Sequence, residues 1–94
     1  MKRVIIFRKT GSFAENKDLA RDIRINLIEP SIKKENEVIL DFKGVDSVTQ
    51  SFMHALISET IREFGPKSLD LISFKDCNET VKNIVNIVVE YMQI

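Results

Sequence analysis

The chain has 94 residues, which is enough for one domain with a single core, so we expect one domain over residues 1–94. Fourteen basic and fourteen acidic side chains give a formal net charge of zero, so the overall positive charge that supports nucleic-acid binding is missing and no nucleic-acid partner is expected. Cys77 is the only cysteine, which excludes a disulfide within the chain and a zinc site built from cysteines.

Three short apolar runs predict three β-strands. They cover residues 4–7, residues 38–40 together with Phe42, and residues 69–74, and turn or charged residues bound each of them. The first two runs are continuous, which is typical of strands covered on both faces, whereas the third alternates and is expected nearer a sheet edge. An additional short strand near residues 9–13, or a partner subunit, is compatible with so small a sheet.

The first predicted helix covers about residues 14–28, where an apolar stripe follows the helical period. Ser12 and Glu15 have the spacing of a capping box, in which the two residues satisfy backbone N–H groups at the helix start, and Asn16 is a rival cap. Pro30 marks the expected end of the helix.

The other two predicted helices cover residues 51–64 and 79–92. The second helix has a clear apolar stripe that only Thr60 interrupts, and Gly65 followed by proline ends it. The third helix has one apolar face despite its many valines, and Asp76 and Glu79 are spaced as a second capping box.

The resulting order of elements is β-α-β-α-β-α. It predicts an α/β fold with a small, largely parallel sheet of three to four strands and helices packed on it. In such sheets the functional edge lies at the carboxyl ends of the strands, where loops lead into helix N-termini. This edge carries residues 9–12, 43–50 and 75–78.

Ser51 and its neighbours Thr49 and Gln50 open the second predicted helix at this edge. Serine is among the best helix caps, so a purely structural role is one interpretation. The alternative is that the helix start holds a phosphate, either bound from solution or attached to Ser51 or Thr49, because exposed amides and the helix dipole favour negative charge there. Spacing leaves both interpretations open.

His54 is the only histidine and lies one helical turn after Ser51. Nucleophilic catalysis would also need an orienting carboxylate and an oxyanion hole, and the helical period places His54 opposite the apolar stripe, facing solvent, so no catalytic residue is expected. Asp41 and Asp46 are of the residue type that binds magnesium. Aspartates at a strand end and in a turn are commonly structural, so we expect no metal and no cofactor.

The third predicted helix carries a second apolar stripe, formed by Ile87, Tyr91 and Ile94. A helix that is apolar on two faces must bury both of them. The second stripe either packs on a neighbouring helix within the monomer, or forms an exposed patch that binds a partner or, in a homodimer, a second copy of the chain.

The stretch VILDFKGVDSVTQSFMHALISE resembles the signature of the STAS-like family of bacterial and phage proteins of unknown function. The shared features are a strand that ends in Leu-Asp-Phe, a Gly-Val turn, and a Ser-Phe pair that opens a helix. The resemblance extends over about residues 11–90. It implies a small STAS-like α/β sandwich.

This family is similar in fold to the STAS domains of anti-sigma factor antagonists, in which a partner kinase phosphorylates a serine at the corresponding helix start. The resemblance places Ser51 at that phosphoacceptor, while Thr49, Gln50 and Phe52 depart from the residues that surround it in those domains. It implies a non-enzymatic regulatory module whose partner is another protein, a kinase-like ATPase of the anti-sigma type.

The leading prediction is therefore a protein-binding surface at Ser51, with Thr49, Gln50, His54 and Asp46 beside it. One alternative is a small-molecule or nucleotide-binding domain that uses the same helix N-terminus, although the chain has no glycine-rich phosphate loop. The other alternative is a structural homodimer that forms through the third helix. Because the sequence shows neither a signal-peptide pattern nor an apolar run of bilayer length, a cytoplasmic protein without membrane contact is expected.

Overall fold

The computed structural model describes residues 1–92, which form five short strands and five helices. The strands are β1 (Lys2–Ile5), β2 (Phe13–Ala14), β3 (Val38–Asp41), β4 (Ser47–Val48) and β5 (Ile72–Lys75). The helices are α1 (Ile6–Thr10), α2 (residues 17–33), α3 (residues 50–64), α4 (Ser68–Leu71) and α5 (Glu79–Met92). Two of them contain a wider π-helical turn, Arg24–Ile28 in α2 and His54–Ser58 in α3.

The main sheet has the strand order β1-β3-β5, and both pairings are parallel. This arrangement confirms the predicted α/β class, and β5 lies at an edge as its alternating pattern indicated. The predicted additional strand exists at Phe13–Ala14, but it does not extend the main sheet. It pairs in parallel with Ser47–Val48 as a separate two-stranded sheet.

The first predicted strand was placed two residues too late, since β1 covers Lys2–Ile5, and the third was placed to begin three residues too early. The chain turns into a helix at Ile6, which buries Ile6 and leaves Phe7 on the surface. In the third run, strand structure begins only at Ile72, because the turn at Gly65 continues into the helical turn α4. There the Ser68 hydroxyl and the Ser68 N–H both donate to the Gly65 carbonyl, at 2.7 and 3.1 Å, which holds the backbone in a tight turn.

Helix α2 differs from its prediction at both ends. Ala14 belongs to β2, so the Ser12–Glu15 capping box is wrong, and the rival Asn16 is the cap: its Oδ1 accepts the N–H groups of the second and third residues after it, at 3.0 and 3.2 Å. Pro30 does not end the helix, which continues to Lys33. The π turn comes just before the proline, which stands at the start of the last α-helical segment, where a missing N–H is tolerated.

Helices α3 and α5 have the predicted ranges, apart from one extra residue at the start of α3. Gly65 ends α3 with φ 81° and ψ 178°, a conformation that is essentially restricted to glycine. The capping box at the start of α5 is wrong, because Asn78 is the cap. Its Oδ1 accepts the Val81 N–H at 2.8 Å, while Asp76 lies outside the helix with a positive φ of 56°.

The core lies between the sheet and the apolar stripes of the long helices. Thr60, which was expected to interrupt the stripe of α3, is itself buried, and its hydroxyl donates to Glu29 at 3.4 Å. Within residues 1–92, no helix is both long enough and apolar enough to cross a bilayer. The largest fully buried side chains are Phe42, Phe52, Ile6, Ile23, Ile28, Leu40, Met53, Leu56, Ile57, Val38, Val81 and Val88.

Candidate functional site

Backbone hydrogen bonds hold the loop between β3 and α3 in place at the carboxyl edge of the sheet. The N–H groups of Asp46 and Ser47 donate to the Ser12 carbonyl at 2.7 and 3.3 Å. The side chain of Asn78, which caps α5, donates from Nδ2 to the Asp46 carbonyl at 2.8 Å. The three loops that the sequence assigned to this edge are therefore joined, and Asp46 lies at their junction with its side chain exposed.

Thr49, not Ser51, is the cap of α3. Its Oγ1 accepts the Phe52 N–H at 3.0 Å, and its own N–H donates to the Ala14 carbonyl at 3.0 Å. The cap interpretation of Ser51 is therefore wrong. Ser51 is the second residue of the helix, it is exposed, and its hydroxyl forms no hydrogen bond within the part of the chain that the structure describes.

Phe52 anchors the start of the helix to the core. Its ring is fully buried, as is the side chain of Met53, so two successive residues anchor the first turn in the core. Gln50 and Ser51 consequently lie on the opposite, exposed side. Thr49 is half-buried and its hydroxyl is engaged in capping, which leaves Ser51 as the more accessible of the two predicted phosphoacceptors.

His54 does not simply face solvent, as its position on the helix had indicated. It is half-buried, and its ring meets the Tyr91 ring of α5 edge-on, with the ring centroids 5.5 Å apart and the ring planes at 85°. This is the T-shaped geometry that aromatic pairs favour. The contact connects the start of α3 to the second apolar stripe of α5.

That second stripe is exposed where the structure describes it. Ile87 is 46% exposed and Tyr91 is 63% exposed, so the stripe is not buried within the monomer, apart from the edge contact with His54. Ile94, its predicted third member, lies outside the described residues. The half-buried His54 and the exposed residues around it on the two helices form one candidate site, which we call the Ser51 surface and define as Gln50, Ser51, His54, Ile87 and Tyr91.

Asp41, at the end of β3, is buried and held as a structural carboxylate. Its Oδ1 accepts the Lys43 N–H at 2.9 Å, and its Oδ2 accepts an Arg3 guanidinium N–H at 2.5 Å. The backbone bond from Lys43, with a smaller contribution from Arg3, lowers the pKa of Asp41 below its ordinary value. Among the described residues, no three metal-ligating side chains come together.

A cavity beside Cys77 was not predicted from the sequence. It has a volume of about 320 Å³, lies between the end of β5 and the first half of α5, and is lined by Phe74, Asp76, Cys77, Lys82, Val85 and Asn86. Cys77 is half-buried, and burial raises the pKa of its thiol, so the sulfur stays protonated and weakly nucleophilic at neutral pH. The only signal in the sequence that points to this cavity is the position of Cys77 in a loop at the carboxyl edge of the sheet.

The chain belongs to the family described as STAS-like domain of unknown function (DUF4325), whose family model matches residues 20–82. The match includes β3, the following loop and all of α3, so it confirms the resemblance seen in that stretch. Ile87 and Tyr91 lie beyond the matched range. No curated protein and no solved structure matches the chain.

Proposed function

We propose that this STAS-like domain is a non-enzymatic regulatory module that binds another protein through the Ser51 surface, with Ser51 as the contact or switch residue. The observation that carries the proposal is the contact between His54 and Tyr91. It makes two features that are distant in sequence, an accessible hydroxyl at a helix start and an exposed apolar stripe, parts of one surface. Polar and aromatic groups side by side are typical of protein-binding sites.

The surroundings of Ser51 suit a phosphate-dependent switch. Ser51 is in the first turn of a 15-residue helix, where the dipole and the backbone N–H groups favour added negative charge. Phosphorylation would add a charge of about −1.5 to −2 next to the apolar part of the surface. If an interface there lost about 1.4 kcal/mol, its affinity would fall about tenfold. The resemblance to STAS domains suggests a kinase-like ATPase of the anti-sigma type as the partner.

Pull-down from native lysate with the parent and with Ser51→Glu tests this proposal, after circular dichroism has shown that both are folded. Ser73→Glu is the matched control, because Ser73 is also exposed but lies on β5. Support would be a partner that the parent and Ser73→Glu retain and Ser51→Glu loses, together with phosphate found on Ser51 by mass spectrometry. A set of bound proteins unaffected by Ser51→Glu, with no phosphate on Ser51, would refute the switch.

A homodimer that forms through α5 is the second candidate, and the exposure of Ile87 and Tyr91 favours it. Sizing of the parent beside Tyr91→Asp distinguishes the two cases. A dimeric parent that becomes monomeric on substitution would support self-association. A parent that is monomeric at high concentration would remove the homodimer and leave the apolar stripe to a different protein.

A further inference from the structure

The outer edge of β1 is the free edge of the main sheet on the side away from β5. β1 pairs only with β3, and the Lys2 N–H donates to the Glu37 carbonyl at 2.9 Å, on the side of β3. Backbone groups alternate in direction along a strand, so the N–H and C=O of Arg3 point away from β3. An edge of this kind can accept an additional strand.

The same edge carries a concentration of positive charge. A groove of about 240 Å³ follows it, and four of the seven residues that line the groove are basic while none is acidic: Lys2, Arg3, Val4, Ile5, Arg8, Lys9 and Leu27. Asp41 neutralises Arg3. Lys2, Arg8 and Lys9 form no salt bridge within residues 1–92, so three cations are available in a chain whose formal net charge is zero.

We infer that this β1 edge binds an acidic extended segment of a partner protein, which adds a strand beside β1 and places carboxylates on Lys2, Arg8 and Lys9. The open N–H and C=O of Arg3 favour a peptide over a nucleic acid, because a phosphodiester backbone cannot supply both a donor and an acceptor to a strand edge. A second copy of the chain is disfavoured, since two basic edges would repel. None of the residues that define the Ser51 surface lines this groove.

Titration of the ¹⁵N-labelled protein with a capped seven-residue peptide of alternating glutamate and valine tests the inference. We expect chemical-shift changes centred on the amides of Arg3 and Ile5, and weaker binding as salt screens the charges. The peptide with lysine in place of glutamate should not bind. A glutamate peptide in which every backbone nitrogen is N-methylated keeps its charge but loses the strand donors in either orientation, and should bind at least about tenfold more weakly.

The double substitution Arg8→Glu with Lys9→Glu should lower the affinity for the glutamate peptide at least about tenfold. Lys67→Glu combined with Lys82→Glu is the matched control, because it makes the same change in charge at exposed positions in the second half of the chain and should leave affinity unchanged. If the charge reversals disturb α1, the corresponding glutamine variants replace them. Equal loss in both pairs, or no shift at Arg3 and Ile5, would overturn the inference. Equally tight binding of oligodeoxythymidine at the same amides would reassign the edge to nucleic acid.

Discussion

Separate replacement of Thr49 and Ser51 by alanine gives the most direct test of which residue caps α3. Thr49→Ala removes the side chain whose Oγ1 accepts the Phe52 N–H at 3.0 Å, so a partly buried backbone donor loses its partner. Loss of such a cap costs about 1 kcal/mol, within a range of about 0.5–2 kcal/mol. For a domain of this size, each 1 kcal/mol corresponds to a Tm decrease of about 4–8 °C.

Ser51→Ala should behave differently, because Ser51 is an exposed residue of the first turn that does not cap the helix, and alanine is the better helix former. We expect its free energy of unfolding to stay within about 0.5 kcal/mol of the parent value. Thr49→Ser is the rescue variant, since serine caps at least as well as threonine. Urea unfolding followed by circular dichroism gives all three values. A stable Thr49→Ala protein beside a destabilised Ser51→Ala protein would show that Ser51 is the cap and that the reasoning is wrong.

Three further substitutions and measurements test the charges of the fold and the state of the thiol. Because the pKa of Asp41 is lowered on folding, its ionised form stabilises the protein above the ordinary pKa of 3.8, and this stability is lost as the pH falls through the lower folded value. Asp41→Asn should therefore make the free energy of unfolding fall less steeply with decreasing pH in the acid range. Curves of the free energy of unfolding against pH that run parallel for the parent and the variant would contradict this. The raised pKa of Cys77 predicts that dithionitrobenzoate reacts with the folded protein at pH 7 more slowly than with the urea-unfolded chain, a difference whose absence would show an open, ionised thiol. Glu29→Ala should lower the free energy of unfolding by about 3 kcal/mol, because it leaves the charge of the mostly buried Arg24 unpaired. Glu59→Ala breaks only a surface pair and should lower it by less than about 0.5 kcal/mol. Equal losses in free energy for the two variants, measured by urea unfolding, would refute this distinction.

The sequence was sufficient for the order of the three main-sheet strands and the three long helices, because that order depends on local patterns, but it did not predict the short elements α1, β4 and α4. Continuous apolar runs marked β1 and β3, and apolar residues at helical spacing marked α2, α3 and α5. The ends of the elements were less predictable because several residues near each end can cap a helix. Ser12 and Asn16 are both suitably placed to cap α2, and Asn16 is the cap. The carbonyl of Ser12 instead accepts two backbone hydrogen bonds from the loop at Asp46, a contact that only the folded chain creates.

The same limit applies to the candidate site. Thr49 and Ser51 are two residues apart, and both are good capping residues. Which of the two residues caps the helix depends on where the extended segment before the helix ends. The pairing of β4 with β2 sets this end, and the residues of β2 lie more than thirty positions before those of β4. Exposure of the Ser51 hydroxyl, and with it the proposal for this site, therefore rests on a non-local contact that a single sequence does not reveal.

The π-helical turn in α3 links the packing of the core to the position of His54. An uninterrupted α-helix places Ser58, seven residues after Ser51, on the same exposed side, yet Ser58 is buried and its hydroxyl donates to the His54 carbonyl. Arg24, in the π turn of α2, donates from Nε to the Ala55 carbonyl at 3.1 Å. The side chains of Ser58 and Arg24 thus support the widened turn from within the packed interface of α2 and α3. Because His54 is the first residue of that turn, they also help to hold its ring against Tyr91, so the geometry of the Ser51 surface depends on buried residues that no partner would touch.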